Sequence, residues 1–188
     1  MKTLEIIGFK RANLGKRNAK DLRNEALVPC VLYGAGHQVH FAVPMILFRG
    51  LIYTPEVHMV ELNIEGDIYK AILQDIQFHP VNEMIMHADF LELQDDKPVK
   101  MNIPVHLKGT AIGVQKGGKL VVKQSKVRIK ALPAHMPDFV ELDITNMDLG
   151  KSVRVRDIVT NNFEILTNGQ VTVASIAIPR ALRGKTQE

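Results

Sequence analysis

Lys16, Lys20 and Arg23 recur at i, i+4 and i+7. On a helix that spacing puts three cations on one face, with Ala19, Leu22 and Ala26 on the buried side. Such a row can lie along the phosphates of a nucleic acid. If about four to six phosphates are neutralised, log K falls with log salt at a slope of roughly −3 to −5. The ordinary alternative is a solvated helix face. A second constellation lies further on. Alternation along residues 84–93 places His87 and Asp89 side by side on one strand face, and both can hydrogen-bond base edges or 2′-hydroxyls. Gln74 and Gln77 suit the same contacts. They have opposite parity, so a bulge or a strand end before Pro80 is needed to present both together. Tyr33, in Tyr33-Gly34-Ala35-Gly36, reads as an exposed turn residue whose ring can stack on a base; packing at a domain edge is the equal alternative.

Other chemistry finds less support. His79, His87 and Asp89 are possible metal ligands, but no HExxH or comparable spacing accompanies them, and in-sheet hydrogen bonds are the simpler reading of His79. Glycines at 34 and 36 lack the third glycine of a dinucleotide loop and a following Lys-Ser/Thr. No G-x-S-x-G occurs, and Ser125, Ser152 and Ser175 have no evident base. Cys30 follows Pro29 in an apolar run and reads as buried. We therefore expect no enzyme, no cofactor and no metal.

Charge distribution sharpens the first reading. Residues 1–24 carry seven basic groups, Lys10, Arg11 and Arg17 among them, against Glu5 and Asp21. Residues 25–92 carry only Arg49 and Lys70 against nine carboxylates, and residues 97–130 carry nine basic groups with no acidic one. Two segregated basic stretches imply a polyanionic partner more than they imply solubility. Lys126, Arg128 and Lys130 alternate along a strand, as a second RNA contact or as an edge protected by cations. One cysteine excludes an intrachain disulfide framework and fits a reducing cytoplasm. The N-terminus does not read as a signal peptide, and no window approaches 18 apolar residues, so no membrane partner is expected.

The elements that must position these residues are mostly strands. Residues 57–64 alternate, with His58, Val60, Leu62 and Ile64 on one face. Glu65-Gly66-Asp67 turns the chain, and residues 68–78 run back as a hairpin. Along 84–93, Met84, Met86, Ala88 and Phe90 point one way and Ile85, His87, Asp89 and Leu91 the other. A short helix is expected near Lys16–Asn24, and another after Pro44 through Met45–Leu51. The polar stretch 94–98, ending in Pro98, marks a boundary between domains 1–93 and 94–188. Beyond it, strands are expected at 99–107, 119–131, 138–144, 152–156 and 171–178, with Asn168-Gly169 turning into the last; the final residues, 183–188, read as a frayed tail. The fold class is all-β or β-rich with few short helices: an N-terminal β-barrel followed by a second β-rich domain.

Four blocks in this order carry a resemblance: Gly15-Lys16-Arg17-Asn18-Ala19-Lys20-Asp21-Leu22-Arg23, Val28-Pro29-Cys30-Val31-Leu32-Tyr33-Gly34, Gln74-Asp75-Ile76-Gln77-Phe78-His79-Pro80 and His87-Ala88-Asp89-Phe90. They resemble the bacterial large-subunit ribosomal proteins that bind 5S ribosomal RNA. Gly113-Val114-Gln115-Lys116-Gly117-Gly118, Leu149-Gly150-Lys151-Ser152-Val153-Arg154-Val155-Arg156-Asp157-Ile158 and Ala177-Ile178-Pro179-Arg180 extend the resemblance to the two-domain type, the general stress protein Ctc. It implies a β-barrel gripping a 5S helix and loop across a widened minor groove. By position the RNA contacts fall on Lys10, Lys16, Lys20, Arg23, Tyr33, Gln74, Gln77, His87 and Asp89, with Arg17 in the same segment. Asp89 then accepts from a base or ribose, or orients His87. Asp21 and Phe78 depart from frequently basic positions. The implied partners are 5S rRNA, the large subunit and neighbouring ribosomal proteins, with the chain a monomer within the ribosome. A stress-linked factor that joins ribosomes only under some conditions is the alternative.

Overall fold

A computed structural model describes residues 2–160 and 162–179. The chain divides into two compact units after Val99.

The first unit is a closed six-stranded barrel. Its strands are β1 (Lys2–Lys10), β2 (Leu27–Gly34), β3 (His37–Pro44), β4 (His58–Ile64), β5 (Asp67–Phe78) and β6 (Ile85–Glu92), with α1 (Lys16–Asn24) between β1 and β2. Their order is β1-β3-β2-β6-β5-β4, and β4 closes onto β1 in parallel. The expected β4–β5 hairpin is present. Glu65 and Gly66 both have positive φ, 54° and 100°, the geometry whose twist matches paired strands. Val60, Leu62 and Ile64 are fully buried, and they join Ile6, Cys30, Leu32, Phe41, Phe48, Ala88 and Phe90 in one core.

β2 has a different logic. Val28 through Leu32 are all buried, those of one parity in the barrel core and Pro29 and Val31 on the outer side. α1 packs on β2 and covers that outer side, with Ala19 and Leu22 half-buried. A strand covered on both faces loses alternation, and this strand, like β1 and β3, is absent from the sequence-based expectation. α1 ends as expected at Asn24, but Ala26 lies beyond it, exposed and at φ 58°, not on its buried side. The segment after Pro44 forms a 3-10 turn, Met45–Phe48, and then one helical turn, α2 (Arg49–Ile52), instead of a single helix.

The second unit holds two sheets. β7 (Val99–Lys108), β9 (Lys126–Ala131), β10 (Val140–Asp143) and β12 (Glu164–Ile165) form one, in the order β10-β7-β9-β12. β8 (Lys119–Val122), β11 (Ser152–Arg154) and β13 (Thr172–Ala177) form the other, in the order β11-β13-β8. The stretch 119–131 is therefore two strands in two sheets, not one strand, because the chain changes sheet across Lys123–Ser125. Thr145 turns and the one-turn helix α3 (Ile112–Gln115) connect them. The Cβ-less Gly113 lets α3 lie against the Asp148–Leu149 backbone, where a Cβ would stand 2.7 Å from Leu149 N. Asn168-Gly169 turns as expected, with Val171 N–H donating to Asn168 O at 3.0 Å. The 183–188 tail lies outside the described residues. Among the described residues no helix is long and apolar enough to cross a membrane.

Candidate nucleic-acid interface

The polar cluster sits on the outer face of the barrel where β5, β6 and β2 adjoin. Two bulges build it. Leu73 pairs with Phe90 and Asp75 with Asp89, so Gln74 is an extra residue on β5. Gln77 pairs with His87 and Phe78 with Ile85, so Met86 is an extra residue on β6. The first bulge lets Leu73 and Ile76 both pack on the core while Gln74 and Asp75 are exposed between them. This answers the parity problem of Gln74 and Gln77: both are exposed. The second bulge brings Ile85 into the core beside Ala88 and Phe90. The expected alternation, with Met84 and Met86 on that face, is thereby corrected: Met84 is exposed and Met86 half-buried.

On this face His87 Nδ1 lies 2.8 Å from Asp89 Oδ1, both side chains about one-third exposed (32% and 29%). Gln77 faces His87 across the ladder, and Asp75 faces Asp89. Directly opposed carboxylates repel each other, so Asp75 and Asp89 concentrate hydrogen-bond acceptors on this face beside His87. Tyr33 borders it on β2, one position along from the Leu32–Phe90 pair. Burial, then the charges of Asp89 and Asp75, push its phenol pKa up. Tyr33 is thus a half-buried strand residue, not an exposed turn residue; the turn proper is Ala35-Gly36. Gly34 closes β2 at φ 140°, with the place of its missing Cβ 2.9 Å from Glu92 Cβ.

The helix meets this cluster through Arg23. Its Nε donates to Met86 O at 3.0 Å, the carbonyl of the bulge residue just before His87. Arg23 is half-buried, while Lys16, Arg17 and Lys20 are exposed along the solvent face of α1. Arg11 braces the loop before the helix: its Nη2 donates to Asn18 Oδ1 at 3.3 Å and its backbone N–H to His40 O at 3.0 Å. Lys10 stands differently. Its Nζ is 2.7 Å from Asp67 Oδ2 and its backbone N–H donates to Glu65 Oε1, so it is tied to the β4–β5 turn. The hydrogen bond and charge of Asp67 hold its ammonium pKa up. The basic segment is thus split between a turn-bound Lys10 and a helix-borne set. Asp75 joins the site without having been singled out by the sequence reading; only the ladder register reveals that it faces Asp89.

His79 caps the loop after β5, its Nδ1 accepting from the backbone N–H groups of Val81 and Asn82 at 3.3 and 3.4 Å. Among the described residues no group of three His, Cys, Asp or Glu is placed to hold a metal ion. Cys30 is fully buried, and burial pushes its thiol pKa far up.

Comparison with known proteins decides the family. Residues 6–90 match the Ribosomal L25p family, and residues 98–180 match the C-terminal domain of ribosomal protein TL5. The chain is 54% identical over 183 residues to the large ribosomal subunit protein bL25 of Cytophaga hutchinsonii, covering 97% of this chain and 95% of that one. The chain belongs to the bL25 family. A second relative, bL25 of Amoebophilus asiaticus, is 52% identical over 188 residues, 100% of this chain and 96% of the relative. The bL25 of Phocaeicola vulgatus is 41% identical over 191 residues. The paired family matches make this bL25 of the two-domain, Ctc type. As a bL25 it is a non-enzymatic ribosomal protein of the large subunit, and its compartment is the cytoplasm, with the ribosome.

Proposed function

We propose that the first unit binds 5S rRNA through the outer face of β2, β5 and β6 together with α1. The observation that carries this reading is the Arg23–Met86 hydrogen bond, which locks a cationic helix to the polar bulge beside His87 and Asp89. Lys16, Arg17 and Lys20 follow the phosphates. Gln74, Gln77, Tyr33, His87 and Asp89 meet the groove. Carboxylates repel phosphate, so Asp89 and Asp75 accept hydrogen bonds from base amino groups or from ribose 2′-hydroxyls, and the hydroxyl contacts favour RNA over DNA. Lys10, held by Asp67, contributes only if that pair opens. The chain serves within the large subunit as a structural component with no chemistry of its own.

Gel shifts with a 5S rRNA transcript over a range of salt test this. Lys16→Gln/Lys20→Gln removes two phosphate contacts and flattens the slope of log K against log salt by about 2. His87→Ala weakens binding by about 1–3 kcal/mol and leaves the slope unchanged. An unchanged slope in the double variant refutes the phosphate role of α1, and unchanged affinity in His87→Ala refutes the groove contact.

A further inference from the structure

We infer that the second unit carries its own RNA-backbone contact, a cationic strip formed by Lys119, Lys123, Lys126 and Arg128. The seven cations of residues 108–130 fall into two sets. Lys108, Lys116 and Lys130 stand 3.6, 2.9 and 3.5 Å from Glu141, Asp148 and Glu164 respectively. The other four are exposed and make no ion pair among the described residues. They follow one another along β8, the link after it and β9, a stretch with no carboxylate.

The backbone beneath them is fixed. Lys123 N–H donates to Val173 O at 2.9 Å, so the β13 ladder continues one residue past β8 and keeps Lys123 in phase with Lys119. Gln124 Nε2 donates to Lys126 O at 2.9 Å. Arg128 N–H donates to Thr167 Oγ1 at 2.9 Å, and its carbonyl accepts from the N–H groups of Leu166 and Thr167. Val127 and Ile129 are fully buried, which turns Lys126 and Arg128 outward together. Cations two residues apart on a strand are separated by about 6.5–7 Å, a stride comparable with that of successive phosphates.

Edge protection does not explain the whole strip. β8 is an edge strand, where lysines deter pairing with another chain. β9 is covered where it carries Arg128: β12 pairs with Ile129 and Lys130, and the Arg128 backbone bonds to Leu166 and Thr167, so Arg128 has no edge to guard. Four exposed cations beside paired ones, on a braced backbone, fit a polyphosphate strand better than a protein surface, which would supply carboxylates at scattered positions.

The test uses the full chain and a short fluorescent RNA duplex unrelated in sequence to 5S rRNA, followed by anisotropy over a range of salt. Lys119→Gln/Lys123→Gln/Lys126→Gln/Arg128→Gln should flatten the salt slope by about 3 and weaken low-salt binding at least about tenfold. The control Lys108→Gln/Lys116→Gln/Lys130→Gln removes paired cations and should flatten it by less than about 1. Thermal melts verify that both variants fold; if the four-site variant does not, the same comparison is made with Lys126→Gln/Arg128→Gln, expected to flatten the slope by about 2. Equal slopes in strip and control variants would mean that only net charge matters and would overturn the inference. So would a strip variant indistinguishable from the wild type, the result expected if this surface faces a protein, or a wild type that does not bind the duplex. None of these outcomes depends on 5S recognition by the first unit.

Discussion

Replacing Arg23 separates its charge from its geometry. The side chain does two things: it brings a cation to the helix face, and it holds the Met86 carbonyl at 3.0 Å through Nε. A hydrogen bond from a charged donor contributes about 1.5–3 kcal/mol, and partial exposure places this one near the lower end. For a domain of 60–100 residues each kcal/mol shifts Tm by roughly 4–8 °C, so a loss near 1.5 kcal/mol in Arg23→Ala should lower the melting temperature of the first unit by about 6–12 °C. On the proposed interface, RNA affinity should fall further, by about 1–3 kcal/mol, since the variant loses a cation of the helix face and the brace on the strand residue preceding His87. Lysine restores the charge but has no planar fork to hold a carbonyl and reach a phosphate at once. Arg23→Lys should therefore recover the salt slope but only part of the affinity and of the melting temperature. Calorimetry for stability and gel shifts with 5S rRNA for affinity give both readouts. Wild-type affinity and stability in Arg23→Lys would refute the idea that Arg23 couples helix and sheet.

Gly34→Ala should destabilise the first unit by about 1–3 kcal/mol or more in chemical denaturation, because φ 140° and the nearby Glu92 Cβ both oppose a side chain there; unchanged stability would contradict the close approach of β2 and β6. Because its phenol pKa is raised, Tyr33 stabilises the fold fully below the ordinary phenol value of about 10 and loses that contribution as pH rises through the folded value. In an ultraviolet titration, Asp89→Asn should lower the Tyr33 midpoint only part of the way, since burial is the larger cause and Asp75 remains. Cys30 should resist alkylation in the native protein and react readily in denaturant; fast native labelling would contradict its burial.

What the sequence made legible follows from how much of each signal is local. α1, with its cations at i, i+4 and i+7, and the β4–β5 hairpin with its Glu65-Gly66 turn need only neighbours along the chain. β2 was not legible, because α1 covers its outer face and erases the alternation that marks a half-buried strand. The bulges at Gln74 and Met86 are products of pairing, and no residue type announces them; yet they decide that Gln74 and Gln77 are both exposed and that Ile85, not Met86, enters the core. Nor could charge counting tell that Lys10 belongs to Asp67, 57 residues away, or that the stretch 119–131, expected as one strand, hides a change of sheet. The residue types of the site were readable, then, and their partners were not.

Barrel closure also orders events during synthesis. β1 gains its parallel partner only once residues 58–64 have been made, and β2 its second neighbour only with residues 88–91. The basic helix leaves the ribosome early, but Met86, the carbonyl that anchors Arg23, follows 63 residues later. A nascent chain therefore exposes loose cations long before it owns a shaped surface. On the proposed function, it can cling to RNA by charge alone at that stage, and selective recognition waits until β6 has emerged and zipped between β2 and β5.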